Sequence, residues 1–301
     1  ASGDDEATKA SSPQQATKIE IIAGDDAAKQ IASMRSPRFS PDGQTLAFYA
    51  TRDVVTHNTC SLLALLDWSS KRVTTLIDIV DAPAPGYSSR PTTAFNGLFT
   101  GSLRHNAWSK DSKRIYFDTQ VGTRCLWKFV DVASKQIVSP QYVDATLSAP
   151  ESVGFETILD RDGDHVLVSV SSPVRPASVY IVTIDTATGQ YTRAPVAIED
   201  QQTSQSIQAW HVVPIPTSVS DEPAARKMLT ESPAVLTAVL LPSKTSDADF
   251  EATVLVPASA PPAEGYPVVI DLHGGPHGNS PATYRVLYDF FAALGFAVVS
   301  V

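Results

Sequence analysis

One turn phrase recurs along this chain of 301 residues and restricts its fold more than any other feature. Ser36-Pro-Arg-Phe-Ser-Pro-Asp-Gly-Gln-Thr-Leu-Ala-Phe-Tyr-Ala50 places an aromatic ring before a Ser-Pro-Asp-Gly turn and an apolar strand, Thr45 to Ala50, after it. Pro41 presets the turn's φ, Asp42 bonds its own backbone and Gly43 takes the left-handed position. The phrase returns at His105-Asn-Ala-Trp-Ser-Lys-Asp-Ser-Lys-Arg-Ile-Tyr-Phe-Asp-Thr119. A fainter copy is Glu156-Thr-Ile-Leu-Asp-Arg-Asp-Gly-Asp-His-Val-Leu-Val-Ser-Val170, so Asp42, Asp111 and Asp162 are matching positions. In this context the three carboxylates are backbone-bonding turn residues rather than acidic catalysts.

Strand pairs fill the intervals. Ser61–Trp68 and Arg72–Ile77 flank a polar turn at residues 69–71, and Cys125–Val132 faces Gln136–Val138 across residues 133–135. Ser178–Asp185 and Gln190–Val196 enclose Thr186-Ala-Thr-Gly189, a hairpin signal. Each unit reads as an antiparallel meander of about four strands repeating at about 40–50 residues, the blade of a β-propeller. A generic β-sandwich with chance turn similarity is the alternative. Residues 81–102, rich in Pro, Gly, Ser and Thr, read as a long inserted loop. Three to four blades fit between residues 20 and 215, fewer than most closed rings hold; blades are expected to be missing on the amino-terminal side.

From residue 214 the pattern changes. Pro214, Pro216, Pro223, Pro233 and Pro242 punctuate a connection that leads to a strand at Phe250–Val256. Tyr266–Leu272 follows, a run so apolar that burial on both faces of a parallel sheet is expected. Ser280 and Pro281 suit an N-cap and first helical position. Val286, Leu287, Phe290, Phe291 and Leu294 lie at the spacing of an amphipathic helix over Ala282–Leu294. Gly295 ends it, and Phe296–Val301 is another strand. Strand, glycine loop, helix and strand make one βαβ unit.

Composition removes several function classes. A net charge of −9 speaks against a nucleic-acid surface. No apolar run approaches the roughly 20 residues needed to cross a bilayer, and no membrane or nucleic-acid partner is expected. The start, Ala1-Ser-Gly-Asp-Asp-Glu, carries neither a basic nor an apolar segment, so no signal peptide is read and a cytoplasmic location is expected. Cys60 and Cys125 then read as free thiols. Residues 1–17 are polar and read as a disordered arm.

The chemistry-bearing stretch is the turn after the apolar strand, Asp271-Leu-His-Gly-Gly-Pro-His-Gly-Asn279. Two consecutive glycines let backbone N–H groups approach a ligand closely. Sites in open α/β sheets sit at that end of the strands. His273 and His277 are four apart, but Gly-Gly-Pro between them prevents a helix and no third ligand is nearby, so no metal is expected. No GxGxxG or Gly-Lys-Ser/Thr is present, so a nucleotide, or any other cofactor, is not expected. A non-hydrolase α/β unit with an incidental glycine turn is the bland reading of residues 268–301.

Taken in order, the residues Ser36-Pro-Arg-Phe-Ser-Pro-Asp-Gly, Leu66-Asp-Trp68, Ala107-Trp-Ser-Lys-Asp-Ser-Lys-Arg-Ile-Tyr-Phe-Asp118, Asp249-Phe-Glu-Ala252, His273-Gly-Gly-Pro-His277 and Leu294-Gly-Phe-Ala-Val298 resemble the acylaminoacyl peptidase (acylpeptide hydrolase) family, in the prolyl oligopeptidase class of serine peptidases. The resemblance implies a partial β-propeller with its linker over residues 18–246. It implies the first βαβ portion of an α/β-hydrolase catalytic domain over 247–301. It also implies an N-acylated peptide as substrate and acyl transfer through a Ser-His-Asp triad. Family members are often homo-oligomers, and an exposed blade edge invites pairing.

Carried over by position, the loop His273, Gly274 and Gly275 implies the oxyanion hole, with the backbone N–H of Gly275 as donor. Relatives in the wider class have Tyr in place of His273, which removes the usual side-chain donor there. No Gly-x-Ser-x-Gly occurs, and the triad is expected beyond Val301. His105, His165 and His211 fall in strands or turns, without an adjacent nucleophile. The 301 residues are therefore expected to lack peptidase activity alone, with apolar area at Tyr266–Leu272 and Phe296–Val301 poorly covered. Two functions remain: part of an acylaminoacyl peptidase, or a non-catalytic propeller module that binds peptides or proteins. A lipase-like esterase is a third, against which Pro276 in place of a third loop glycine and the upstream repeats both count.

Overall fold

The computed structural model describes residues 18–54, 59–84, 95–140, 154–185, 190–196, 203–215, 250–274 and 278–301. The arm at 1–17, the hairpin turn at 186–189 and most of the Pro-rich connection lie outside these residues. The fold is predominantly β-sheet. The first sheet holds β1 (Ile22–Ala23), β2 (Ser33–Phe39), β3 (Thr45–Thr51), β4 (Leu62–Asp67) and β5 (Arg72–Ile77). β2 to β5 form an antiparallel meander, and β1 joins β5 in parallel.

The second sheet contains β6 (Arg114–Val121), β7 (Arg124–Asp131), β8 (Ile137–Val138), β9 (Phe155–Asp162), β10 (His165–Ser172), β11 (Arg175–Ile184) and β12 (Tyr191–Pro195). It is two meanders, β6 to β8 and β9 to β12, joined where Cys125 pairs in parallel with Phe155. Among the described residues no sheet closes into a barrel.

The repeated turn forms as its chemistry demands. Asp42 Oδ1 accepts from Ser40 Oγ at 2.6 Å and from the Gln44 N–H at 3.0 Å. Asp111 repeats this with Ser109 Oγ at 2.6 Å and the Lys113 N–H at 3.1 Å. Gly43 has φ +72° and Ser112, its counterpart, φ +59°, so the second copy holds a Cβ-bearing residue in the left-handed region. The third copy departs from the pattern. Asp162 ends β9 in a tight hairpin and pairs with Lys110 Nζ at 2.5 Å. There the two strands are directly apposed, and no Ser-x-Asp turn is left for the carboxylate to close.

Packing follows from strand alternation. Ala47, Tyr49, Leu63, Leu76 and Ile77 of the first sheet meet Trp108, Ile115, Phe117 and Val130 of the next meander. The opposite face of that meander, Tyr116, Trp127 and Phe129, packs on Ile158, Val166, Val168, Tyr180, Val182 and Tyr191. Antiparallel sheets usually keep one wet face; β6 and β7 bury both. The segment read as an inserted loop also joins in, because its Phe95 and Leu98 are buried, as is Leu103 just after it. On the two edge strands of the first sheet Ile22, Met34 and Phe39 stay exposed.

The third sheet contains β13 (Ile207–Ile215), β14 (Phe250–Pro257), β15 (Val268–Asp271) and β16 (Ala297–Ser300), in the order β13-β14-β16-β15. β15 and β16 are parallel and joined through α1 (Val286–Ala293). β13, which the sequence places with the propeller and linker, pairs along its length with β14. Its hydrogen bonds therefore belong to this sheet.

Three expectations for this unit are corrected. α1 begins at Val286 with Arg285 as N-cap, not at Pro281 after Ser280. Residues 280–284 are diverted: Ser280 Oγ bonds Val301 O at 3.1 Å, the Ala282 N–H bonds Thr123 O at 2.6 Å, and the Tyr284 N–H bonds Ser171 Oγ at 3.1 Å. Second, the buried face of α1 is Tyr288 and Ala292, while Val286, Leu287, Phe290 and Leu294 are exposed. Third, β15 is an edge strand rather than one buried on both faces: Val268, Ile270 and Leu272 are 54%, 64% and 70% exposed. Of the apolar segments expected to be poorly covered, this one is; in β16 Ala297 and Val298 are buried.

Lys128 is the unexpected core residue. Its side chain is buried, with Nζ donating to Phe95 O and to Asn96 Oδ1 at 3.3 Å. Desolvation pulls its pKa from 10.5 down to about 8. Between those values the unfolded chain binds this proton and the folded chain sheds it, so stability rises with pH across the window. Relative to Lys128→Met, the wild type should gain on the order of 2–3 kcal/mol of unfolding free energy from pH 7.5 to 10.5. Urea titrations of both proteins would measure this, and parallel pH profiles would refute it.

Candidate functional site

The glycine loop leaves the carboxyl end of β15, where the ladder stops. The last backbone bond there runs from the Val301 N–H to Asp271 O at 3.0 Å. His273 and Gly274 follow, both exposed. Among the described residues, no backbone group pairs with the N–H of either. A Cβ built on Gly274 would meet nothing within 4 Å, so the chain there borders open space. His273 Nδ1 lies 3.4 Å from Gly274 O, a contact within its own loop. Gly275, with Pro276 and His277, falls outside the described residues. The loop's far end returns close to its start, since a Cβ on Gly278 would lie 3.2 Å from His273 Nδ1.

Both ends of the loop are held. On the near side, Asp271 Oδ2 accepts from Tyr288 Oη and from Arg285 NH1 at 3.3 Å. Arg285 NH1 also donates to Tyr288 Oη at 2.9 Å, and Ser300 Oγ lies 3.0 Å from the same oxygen. Burial, and then the bond to Asp271, raise the Tyr288 pKa and keep the phenol a donor. On the far side, Asn279 Nδ2 donates to Gly122 O in the turn between β6 and β7. The loop thus lies where the third sheet meets the hairpin sheets.

Of the predicted site residues, the structure places His273 and Gly274 together at this junction. His105, His165 and His211 are exposed elsewhere, and His165 Nδ1 is 3.1 Å from Thr183 Oγ1. Among the described residues no group of three metal-ligating side chains occurs. Sequence reasoning missed Asp271, Tyr288 and Asn279. Asp271 ending an apolar strand was the visible signal, but its partners are 14 and 17 residues away.

A family described as "Acylamino-acid-releasing enzyme, N-terminal domain" matches residues 4–208. Its match ends inside β13, where the third sheet begins. The human acylamino-acid-releasing enzyme is 26% identical over 284 residues, 94% of this chain and 34% of its own length. The mouse enzyme is 26% identical over 266 residues, 88% of this chain and 32% of its own length. This chain thus spans about a third of the length of these relatives. A puromycin hydrolase structure aligns over 90% of this chain and 41% of its own, with a TM-score of 0.44 and 15% identity. A puromycin-hydrolyzing peptidase of Mycobacterium tuberculosis covers 94% of this chain and 43% of its own, with a TM-score of 0.41 and 17% identity. The chain belongs to the family whose model matches it, that of the acylamino-acid-releasing enzyme N-terminal domain.

Tyr288→Phe removes the phenol that fixes Asp271 while keeping the ring in its pocket. Unfolding free energy should fall by about 1–2 kcal/mol, and amide exchange at Val301 should quicken. Hydrogen-exchange mass spectrometry with a urea melt checks both; unchanged exchange would mean that the phenol does not hold this end of the loop.

Proposed function

We propose that this chain is the amino-terminal part of a serine hydrolase that releases N-acylated amino acids from blocked peptides. In this reading the meanders are blades of a β-propeller beside the active site, and the third sheet opens an α/β-hydrolase domain. One observation carries the reading: amides without backbone partners at the end of a parallel strand, beside open space at the junction of the third sheet with the β6–β7 hairpin, in a chain of this family. Donors in that position suit the oxyanion of a tetrahedral acyl intermediate, where charge appears only as the serine attacks. The N-acylated substrate and any assembly into homo-oligomers belong to the same proposal.

The chain's own residues would bind and orient rather than cut. The amides at residues 273–275 would hold the oxyanion, with Asp271 and Asn279 keeping the loop ends in place. His273 Nδ1 stays within its own loop, 3.4 Å from Gly274 O. No Gly-x-Ser-x-Gly is available among the 301 residues to supply a nucleophile. A peptide-binding module without catalysis would use the same junction, and one experiment separates the two.

The pure 301-residue chain should neither hydrolyse acetyl-alanyl p-nitroanilide nor take up a fluorophosphonate probe. The polypeptide extended through a Ser-Asp-His triad should do both. Turnover by the 301 residues alone, or an inert extended protein, would overturn the proposal.

A further inference from the structure

We propose that the tip of the β6–β7 hairpin positions the glycine loop, with Glu251 as its anchor; this rests on the function proposed above. The tip is Gly122, at φ +53°, and Thr123. Its backbone groups are directed at the third-sheet unit. The Thr123 N–H donates to Glu251 Oε2 at 3.0 Å, and Thr123 Oγ1 lies 3.4 Å from the same oxygen. Thr123 O accepts from the Ala282 N–H at 2.6 Å, and Gly122 O accepts from Asn279 Nδ2. One two-residue turn therefore grips β14 on one side and the segment just after the glycine loop on the other.

Glu251 makes this grip specific. Its other oxygen, Oε1, lies 3.7 Å from Arg124 NH1, and the two side chains are 3% and 4% exposed. A carboxylate accepting a backbone N–H makes a charge-assisted bond, strong when water is excluded. Burying an ion pair is costly, and similar apolar residues often serve stability as well or better. Stability alone does not call for the pair; fixing one orientation of two units does. Ser171 supplies a second grip, accepting from the Tyr284 N–H at 3.1 Å and bonding Thr283 Oγ1 at 3.0 Å. Gly154 permits the approach, since a Cβ there would lie 2.6 Å from both Ala282 O and Ser171 O.

Residues 279–284 are thus tied to the hairpin sheets, while Asp271 ties the loop's other end to α1. Fixing both ends sets the direction of the His273 and Gly274 amides before substrate arrives, and a displacement of about 1 Å costs roughly 10²-fold in rate. The loss should appear in turnover rather than in substrate binding, because the oxyanion exists only in the transition state.

The test uses the enzyme that carries this chain as its amino-terminal part. Glu251→Gln keeps an oxygen for the Thr123 N–H but drops the charge. Arg124→Met with Glu251→Leu removes the grip without stranding a buried charge. Amide exchange at Ala282 should quicken in the double variant and less in Glu251→Gln. kcat on acetyl-alanyl p-nitroanilide should fall roughly ten- to a hundredfold in the double variant, with KM within about threefold. Asn279→Ala should show the same split, and it decides the matter if the double variant fails to fold. Unchanged exchange at Ala282 in a folded double variant, or faster exchange with unchanged kcat, would overturn the proposal. If the unaltered enzyme does not turn over substrate, the proposed function fails; exchange at Ala282 then supports or overturns the hairpin's hold by itself.

Discussion

The two-faced burial of the β6–β7 hairpin is the constraint on which the rest of this structure depends. Phe117, Ile115 and Val130 point to the first sheet, and Tyr116, Trp127 and Phe129 point to the third meander. A meander apolar on both faces must sit between two neighbours, so the sheets stack face to face. Buried polar groups on this hairpin are paired rather than left to solvent. Trp127 Nε1 donates to Glu156 Oε1 at 2.8 Å, and Glu156 Oε2 lies 3.6 Å from Arg193 NH1. Asp118 accepts from both Arg104 and the Ile158 N–H; burial outweighs these bonds and raises its pKa.

The same hairpin carries the stacking order outward to the site. Because both faces are clamped, its tip is fixed in space, and the tip is what the third sheet meets. A hydrogen bond from a mobile tip would hold little; one from a clamped tip transmits position. The glycine loop therefore inherits its place from contacts made well over a hundred residues earlier in the chain. The segment at residues 280–284 gives up a helical turn for these bonds, which is why α1 starts late.

Turn chemistry was legible without coordinates. The Ser-x-Asp closure at residues 40–44 and 109–113 follows from side chains that bond their own backbone, and the flanking strands follow from β-branched and aromatic alternation. The glycine loop's position at a strand end was legible for the same local reason. What misled was the apolar pattern of the last segment. Val286, Leu287, Phe290 and Leu294 mark a stripe that the spacing assigns to a core, yet Tyr288 and Ala292 are the buried residues. Periodicity says that a helix has an apolar face; it does not say which neighbour covers it.

The sequence by itself determined the short-range features: which residues turn, which strands alternate, and that two glycines follow an apolar strand at Asp271. These rest on φ preferences and side-chain-to-backbone bonds within a few residues. Only the tertiary structure decided that β13 pairs with β14, that Lys128 is buried, and that Glu251 reaches Thr123 across 128 residues. Such pairings are settled by which surfaces the stacked sheets bring together, and no local preference encodes that.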